Sequence, residues 1–301
     1  MVHISGGKIT QLWGQAILSR SYTTDDTYSV PSVFKVGTGT TAAGSGDTDI
    51  ETTVPISGTE AVDSCDATTN WTDSADMTLS VNSTTYKEGG KALNLTKDAG
   101  ASATASTYKT TTSRVGTSKD FHMWIYIINA AAYAKLATSN CFEIRFGSDS
   151  SNYYKYQADK ADLAVGWNMI KLAIPGGFDS TVSSPVIGSL DYTYISLTAD
   201  AAATVWSAGD FIMDDIKLAS AGDYTKIYAT GYPSINTSNL EVTHRVALLS
   251  TEANGYLITE TGFFNTDTSP IMISRDTFTS ISKSSTDEII IVSKDKLNIN
   301  T

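Results

Sequence analysis

Hydrophobic residues recur at every second position through most of the chain. In FHMWIYII (121–128), Met123, Ile125 and Ile127 share one side, with His122, Trp124 and Tyr126 on the other. CFEIRFG sets Phe142, Ile144 and Phe146 against Glu143 and Arg145, and YTYISL sets Ile195 and Leu197 against Tyr192 and Tyr194. WNMIKLAI sets Ile170, Leu172 and Ile174 against Trp167, Met169 and Lys171. In FIMDDIKL the same period groups Ile212, Ile216 and Leu218, and points Asp215 to the side of Phe211 and Met213. Short runs of period two separated by turn residues predict an antiparallel β-sandwich over residues 61–220. Two segments break the period. Ile9, Leu12, Trp13, Ala16 and Ile17 follow helical spacing and predict one short amphipathic helix over 8–19, and NAAAYAKLATS predicts another over 129–139.

Beyond 220 come four further strand-like runs, EVTHRVALL, GYLITETGFF, PIMISRDTF and DEIIIVSK. Residues 1–60 alone are too few and too glycine-rich to bury a core. The expected organisation is therefore a discontinuous β-rich domain made of 1–60 and 221–301, with the sandwich of 61–220 inserted in it.

The stretch VFKVGTGTTAAGSGDTDIETTVPI (33–56) looks at first like a phosphate-cradling loop. Its run ends in Gly-Asp-Thr where a Walker loop has Gly-Lys-Ser/Thr, and DTDIETTVPI lacks the helical spacing that a dinucleotide site requires. Asp47, Asp49 and Glu51 stand where an anion would sit. A turn is expected, with a strand ending at Phe34 and Val36 and an extended segment running from Ile50 to Ile56.

The charge balance narrows the partners. The 301 residues carry a net charge of −11, with a pI of about 4.6. That disfavours nucleic acid and anionic membrane surfaces, and the longest apolar run, MWIYIINAAAYAKLA, is too short and too polar to span a bilayer. The start, MVHISGGKITQLWG, has no secretory pattern, so assembly in a cytoplasm is expected. Cys65 and Cys141 read as inert thiols, and His3, His122 and His244 give no zinc spacing. No GxSxG elbow occurs and no carboxylate pair stands out in so acidic a chain, so no enzyme is expected.

Sugars stack on exposed rings and bond to nearby carboxylates, amides and guanidinium groups. One sheet face is expected to present Trp124, Tyr126, Glu143, Arg145, Tyr192 and Tyr194 to such a ligand, with Tyr153 and Tyr154 in an adjoining loop. The other reading of Trp124 and Tyr126 is a core or a subunit contact.

In order along the chain, DATTNW, YKEGGKALNL, DFHMWIYI, VGWNMIKLAI and FIMDDIKL resemble jelly-roll carbohydrate-binding modules, over roughly half the chain. The resemblance implies a jelly-roll topology for the sandwich. It also implies a structural Ca²⁺ between the N-terminal loop and the last strand. Matching positions are Asp63 or Asp66, carbonyls around Glu88 to Lys91, and Asp214 or Asp215. The plainer reading is that these aspartates cap turns at strand ends.

The flanks FKVGTGTTAAGSGDTDIETTV and EANGYLITETGFF…ISRDTFTSISKSSTDEIIIV resemble a structural domain of tailed-phage tail, baseplate and fibre proteins, with Ile50 where a leucine is usual. This resemblance implies a virion protein, with other virion proteins and copies of itself as partners. Its inserted jelly roll would project outward and bind a cell-surface glycan. The alternatives are a capsid decoration or head-spike protein with the same modules, and a ligand-free structural spacer.

Overall fold

A computed structural model describes residues 2–3, 8–9, 32–236, 238, 241–265 and 271–296. The chain is mainly antiparallel β and divides into two compact units, Thr59–Ser220 and Met1–Gly58 with Ala221–Thr301.

The Thr59–Ser220 unit is a two-sheet sandwich. The first sheet has the strand order Ser180–Val182, Asn152–Ala158, Phe142–Asp149, Leu190–Thr198, Thr104–Arg114 and Trp71–Asp73. The second runs Gly166–Ala173, Lys119–Ile127, Phe211–Ser220, Ala92–Lys97 and Met77–Asn82, with Glu60–Asp63 also paired to Phe211–Ser220. Phe142, Ile144, Phe146, Ile195 and Leu197 from the first sheet pack with Met123, Ile125, Ile127, Ile170 and Leu172 from the second in one buried cluster. These are the residues that period-two reading turned inward, and each buried side chain of this kind contributes about 1.5–3 kcal/mol. Cys65 and Cys141 are free and buried, and burial pushes both thiols up, Cys141 to about 11.

The last strand departs from simple alternation. Asp214 pairs with Trp124, but Lys217 pairs with His122, so Asp215 and Ile216 together oppose a single residue. Asp215 takes a positive φ of 47° at this bulge, a conformation that Asp tolerates better than most side chains. The bulge resets the phase. Phe211 and Met213 face the core before it, Ile216 and Leu218 after it, and Ile212 lies outside the cluster. Asp215 therefore does not share the side of Phe211 and Met213; its carboxylate meets Lys217 instead. The expected helix at 129–139 shrinks to Ala130–Ala134, N-capped by Asn129, whose Oδ1 accepts from the Ala132 amide at 2.9 Å.

The second unit has a four-stranded sheet, Val2–His3, Ile289–Lys296, Glu241–Leu248 and Ser234–Asn236. Its five-stranded sheet is Lys226–Ile227, Val33–Gly37, Leu257–Phe264, Met272–Ser282 and Lys8–Ile9. Within the expected 8–19 helix, Lys8 and Ile9 are strand residues, and the remainder lies outside the described residues.

The glycine stretch does cradle an anion, and the anion is the protein's own. Glu260 has no solvent exposure, and its carboxylate accepts from the amides of Gly39, Thr52 and Glu51 at 2.9, 2.8 and 3.0 Å. Arg275 donates to it from Nε at 2.9 Å and bonds Asp47 and the Thr41 carbonyl at 2.8 and 3.2 Å. Glu51 in turn accepts from the Thr40 and Thr41 amides, and Asp47 from Gly44. Gly37 and Gly39 are required by proximity, because a Cβ at either would stand 2.5 Å from Glu260 Oε1. Replacing Arg275 with methionine is expected to destabilise this unit by about 3–5 kcal/mol, since it strands a buried carboxylate. Hydrogen–deuterium exchange of the full chain should then rise in peptides spanning 33–37 and 257–264, with those of Thr59–Ser220 unchanged.

Candidate functional site

On the first sheet, the residues that alternate with the core positions share the outer face. Cross-strand pairing sets them in rows. One row runs Lys155, Arg145, Tyr194, Tyr108, Thr72; the next runs Gln157, Glu143, Ser196, Ser106; a third runs Tyr153, Gly147, Tyr192, Thr110. Gly147 leaves no side chain between Tyr153 and Tyr192.

Arg145 is the centre of this face. Its guanidinium lies 4.2 Å from the Tyr194 ring centroid and 5.0 Å from that of Tyr153. Glu143 orients it, accepting from Arg145 Nε at 2.5 Å and, through its other oxygen, from Gln157 Nε2 at 2.7 Å. Both Glu143 oxygens are thus engaged within the protein. Tyr108 and Tyr192 tilt against each other at 5.9 Å, and burial pushes the Tyr192 phenol up to about 12, so it stays a neutral hydrogen-bonding group.

Beside Arg145 a groove of about 320 Å³ is lined by Thr104, Ser139, Asn140, Glu143, Arg145, Gln157, Tyr194, Ser196 and Thr198. The Thr104 and Thr198 hydroxyls are 3.0 Å apart. The lining is hydroxyl, amide and guanidinium, with one aromatic ring and one carboxylate among the described residues. Two carboxylates flanking a bond, as glycoside hydrolysis requires, do not meet in it. Such a surface suits a polyhydroxylated ligand, which offers donors and acceptors in equal measure and flat C–H faces.

The expected six residues do not share one face. Glu143, Arg145, Tyr192 and Tyr194 come together on the first sheet. Trp124 and Tyr126 belong to the second sheet and point away from the core on the opposite side of the sandwich. There Trp124 is 6% exposed, edge-on to Trp167 and capped by Lys87 at 4.6 Å, and Tyr126 leans on Trp167 at 5.0 Å. Period two says which side of a strand a residue takes, but not which sheet the strand joins. Tyr153 and Tyr154 lie in a strand, Tyr153 outward and Tyr154 in the core. Gln157, Tyr108, Thr104 and Thr198 escaped the sequence reading. Tyr108 sits in STYKTTT, where both sides of the strand are polar and alternation gives no contrast.

Asp63, Asp214 and Asp215 each meet a partner within the chain. Asp63 is ion-paired with Lys109 and accepts from the Cys65 amide at 2.7 Å. Asp215 meets Lys217 at 2.5 Å, and Lys217 also donates to Glu88 at 3.1 Å. Asp214 Oδ2 accepts from the Lys87 and Glu88 amides at 2.6 and 3.0 Å, leaving Oδ1 as a buried oxygen without a hydrogen bond. Asp66 reaches Gly89, where a Cβ would come 3.2 Å from its Oδ1. Calcium takes six to eight oxygens. Among the described residues no three His, Cys, Asp or Glu side chains come together as a group that could hold a metal ion.

No family model and no curated protein matches the chain. Several of the solved structures it is similar to are carbohydrate-binding modules. One is the family 11 module of the cellulosomal cellulase Lic26A-Cel5E of Clostridium thermocellum, at 14% identity over 55% of this chain and 95% of that one, TM-score 0.37. Another is the CBM22-1 xylan-binding domain of Paenibacillus barcinonensis Xyn10C, at 12% identity over 54% and 92%, TM-score 0.32. An exo-beta-agarase matches at 12% identity and TM-score 0.39 over 55% of this chain, which spans 24% of the agarase.

Burial pushes Glu88 up to about 8 against the pull of Lys217, and pushes Asp214 up to about 7. Both bind a proton more tightly folded than unfolded. Their contribution is therefore fully present below about pH 4 and is lost as pH rises to about 8. The melting midpoint of the Thr59–Ser220 transition in the full chain is expected to fall between pH 5 and 8, and Glu88→Gln to flatten that slope. A midpoint rising with pH would contradict the assignment.

Proposed function

We propose that the chain is a non-enzymatic structural protein of a tailed phage particle, a tail, baseplate or fibre component whose Thr59–Ser220 jelly roll binds glycans. The observation that carries the binding half is the groove beside Arg145, where a guanidinium held by Glu143 and lying within 5.0 Å of two tyrosine rings meets a row of hydroxyls. In this reading Tyr194 takes the flat face of a sugar ring, the Arg145 amino groups and Gln157 bond its hydroxyls, and Thr104, Ser196 and Thr198 complete the hydrogen-bond set. Glu143 positions the other two and stays off the ligand.

The virion half is supported by the resemblance carried by the GTGTT and EANG turns of the flanking unit. Glu260 gives those motifs a shared structural purpose, since the GTGTT turn and the strand that follows EANG meet at its carboxylate. Virions repeat their components by symmetry, so many weak sugar contacts would add to firm attachment. Locating the chain in a map of the assembled particle tests this half. Absence from the particle would refute it, and a place on the capsid lattice would favour a decoration protein.

The groove is tested by isothermal titration of the full chain with an oligosaccharide panel. The β-1,3-1,4-mixed-linked tetrasaccharide and the xylohexaose found with two of the neighbours are sensible first probes. Arg145→Ala is expected to weaken binding of whichever glycan titrates by roughly 10- to 100-fold, from about 1.5–3 kcal/mol for hydrogen bonds to a charged donor. Trp124→Phe, on the far sheet, should leave the affinity unchanged. Equal losses in both variants would remove the groove from consideration.

A further inference from the structure

We propose that the Lys217 ammonium is the resident cation of the acid cluster at the last strand, so that this jelly roll is held there without the calcium ion that its resemblance implies. The place is bounded by the strands Glu60–Asp63 and Phe211–Ser220 and by the 86–91 loop. Lys217 is buried, and its Nζ lies 2.5 Å from Asp215 Oδ2 and 3.1 Å from Glu88 Oε2. A calcium ion bound to those two oxygens would sit about 2.3–2.6 Å from each, within the volume that Nζ fills, so the two cations exclude one another.

The backbone brings this about. Asp215 and Lys217 are two apart, and the bulge at Asp215 puts both outside the core phase that Ile216 and Leu218 follow. The loop delivers Glu88 to the same point, and its Lys87 and Glu88 amides hold Asp214 from the other side. The acid on the neighbouring strand, Asp63, already has Lys109. Asp214 Oδ1 stays buried without a hydrogen bond beside this cluster.

The same unit uses an ammonium in this way a second time. Lys97 is buried, and its Nζ donates to the carbonyls of Asp98, Ala202 and Thr204 at 2.9, 2.9 and 3.1 Å. Three converging carbonyls are what a loop offers a bound cation, and an ammonium has three protons to match them.

The test is thermal unfolding of the full chain in excess EDTA and in excess CaCl₂, with titration of CaCl₂ into metal-free protein. The wild-type midpoint is expected to be the same in both, with no heat of a tight site. Lys217→Met should lower the midpoint in EDTA by on the order of 10 °C, and CaCl₂ should restore part of it by entering the vacated place. A wild-type midpoint that drops in EDTA, or one tight calcium site per wild-type chain, would overturn the proposal. So would a Lys217→Met chain as stable in EDTA as the wild type. Should that variant not fold, the wild-type titration decides alone.

Discussion

Glu260 has no water to solvate it, and the segment from Gly37 to Thr52 is shaped by that fact. A carboxylate removed from solvent has to be given its hydrogen bonds back within the fold, or its burial costs several kcal/mol. Here three backbone amides and one guanidinium do so. The amides are available because the segment has no regular structure of its own to consume them. The guanidinium then reaches on to Asp47 and the Thr41 carbonyl, so one buried charge fixes both ends of a long loop against the sheet. The two glycines follow from this geometry, because the loop passes too close to Glu260 for a Cβ at either position.

The same constraint operates in the jelly roll with the sign reversed. Lys97 and Lys217 are buried cations, and each is met by oxygens from strands and loops distant in sequence. In both units charge is matched inside the chain, and the match ties loops to sheets where apolar contact is sparse. This explains how a sequence with few charged residues can still form ion pairs where loops meet sheets. The charges are few, and they are placed where backbone would otherwise be unsupported.

Much of the fold was legible because period two is a local property. Met123, Ile125, Ile127, Phe142, Ile144 and Phe146 could be turned inward from their own neighbours alone. What was not legible is non-local. Trp124 and Arg145 read alike as outward residues, and only the pairing of their strands separates them onto opposite faces. Asp215 was misplaced because a bulge inserts a residue without any glycine or proline to announce it. Glu260 gave no sign of being the anion that the glycine run serves, since the two lie more than two hundred positions apart. Of the candidate site, Glu143, Arg145, Tyr192 and Tyr194 could be found by their contrast with apolar neighbours. Tyr108 and Thr104 could not, because their strand is polar on both sides over most of its length.

The build of the groove also bears on how tightly it can hold anything. Its central donor is already bonded by Glu143 and lies close to two tyrosine rings, so the free protein gives up little solvation by keeping it ordered. Pre-ordering of that kind lowers the entropic cost of each contact. Yet the lining is hydroxyl and amide, and every sugar hydroxyl bonded there exchanges one hydrogen bond to water for another of similar strength. Such a surface gains orientation and discrimination more readily than affinity. Strength would have to come from presenting many copies at once, which is the one property that a symmetric assembly supplies without altering the site.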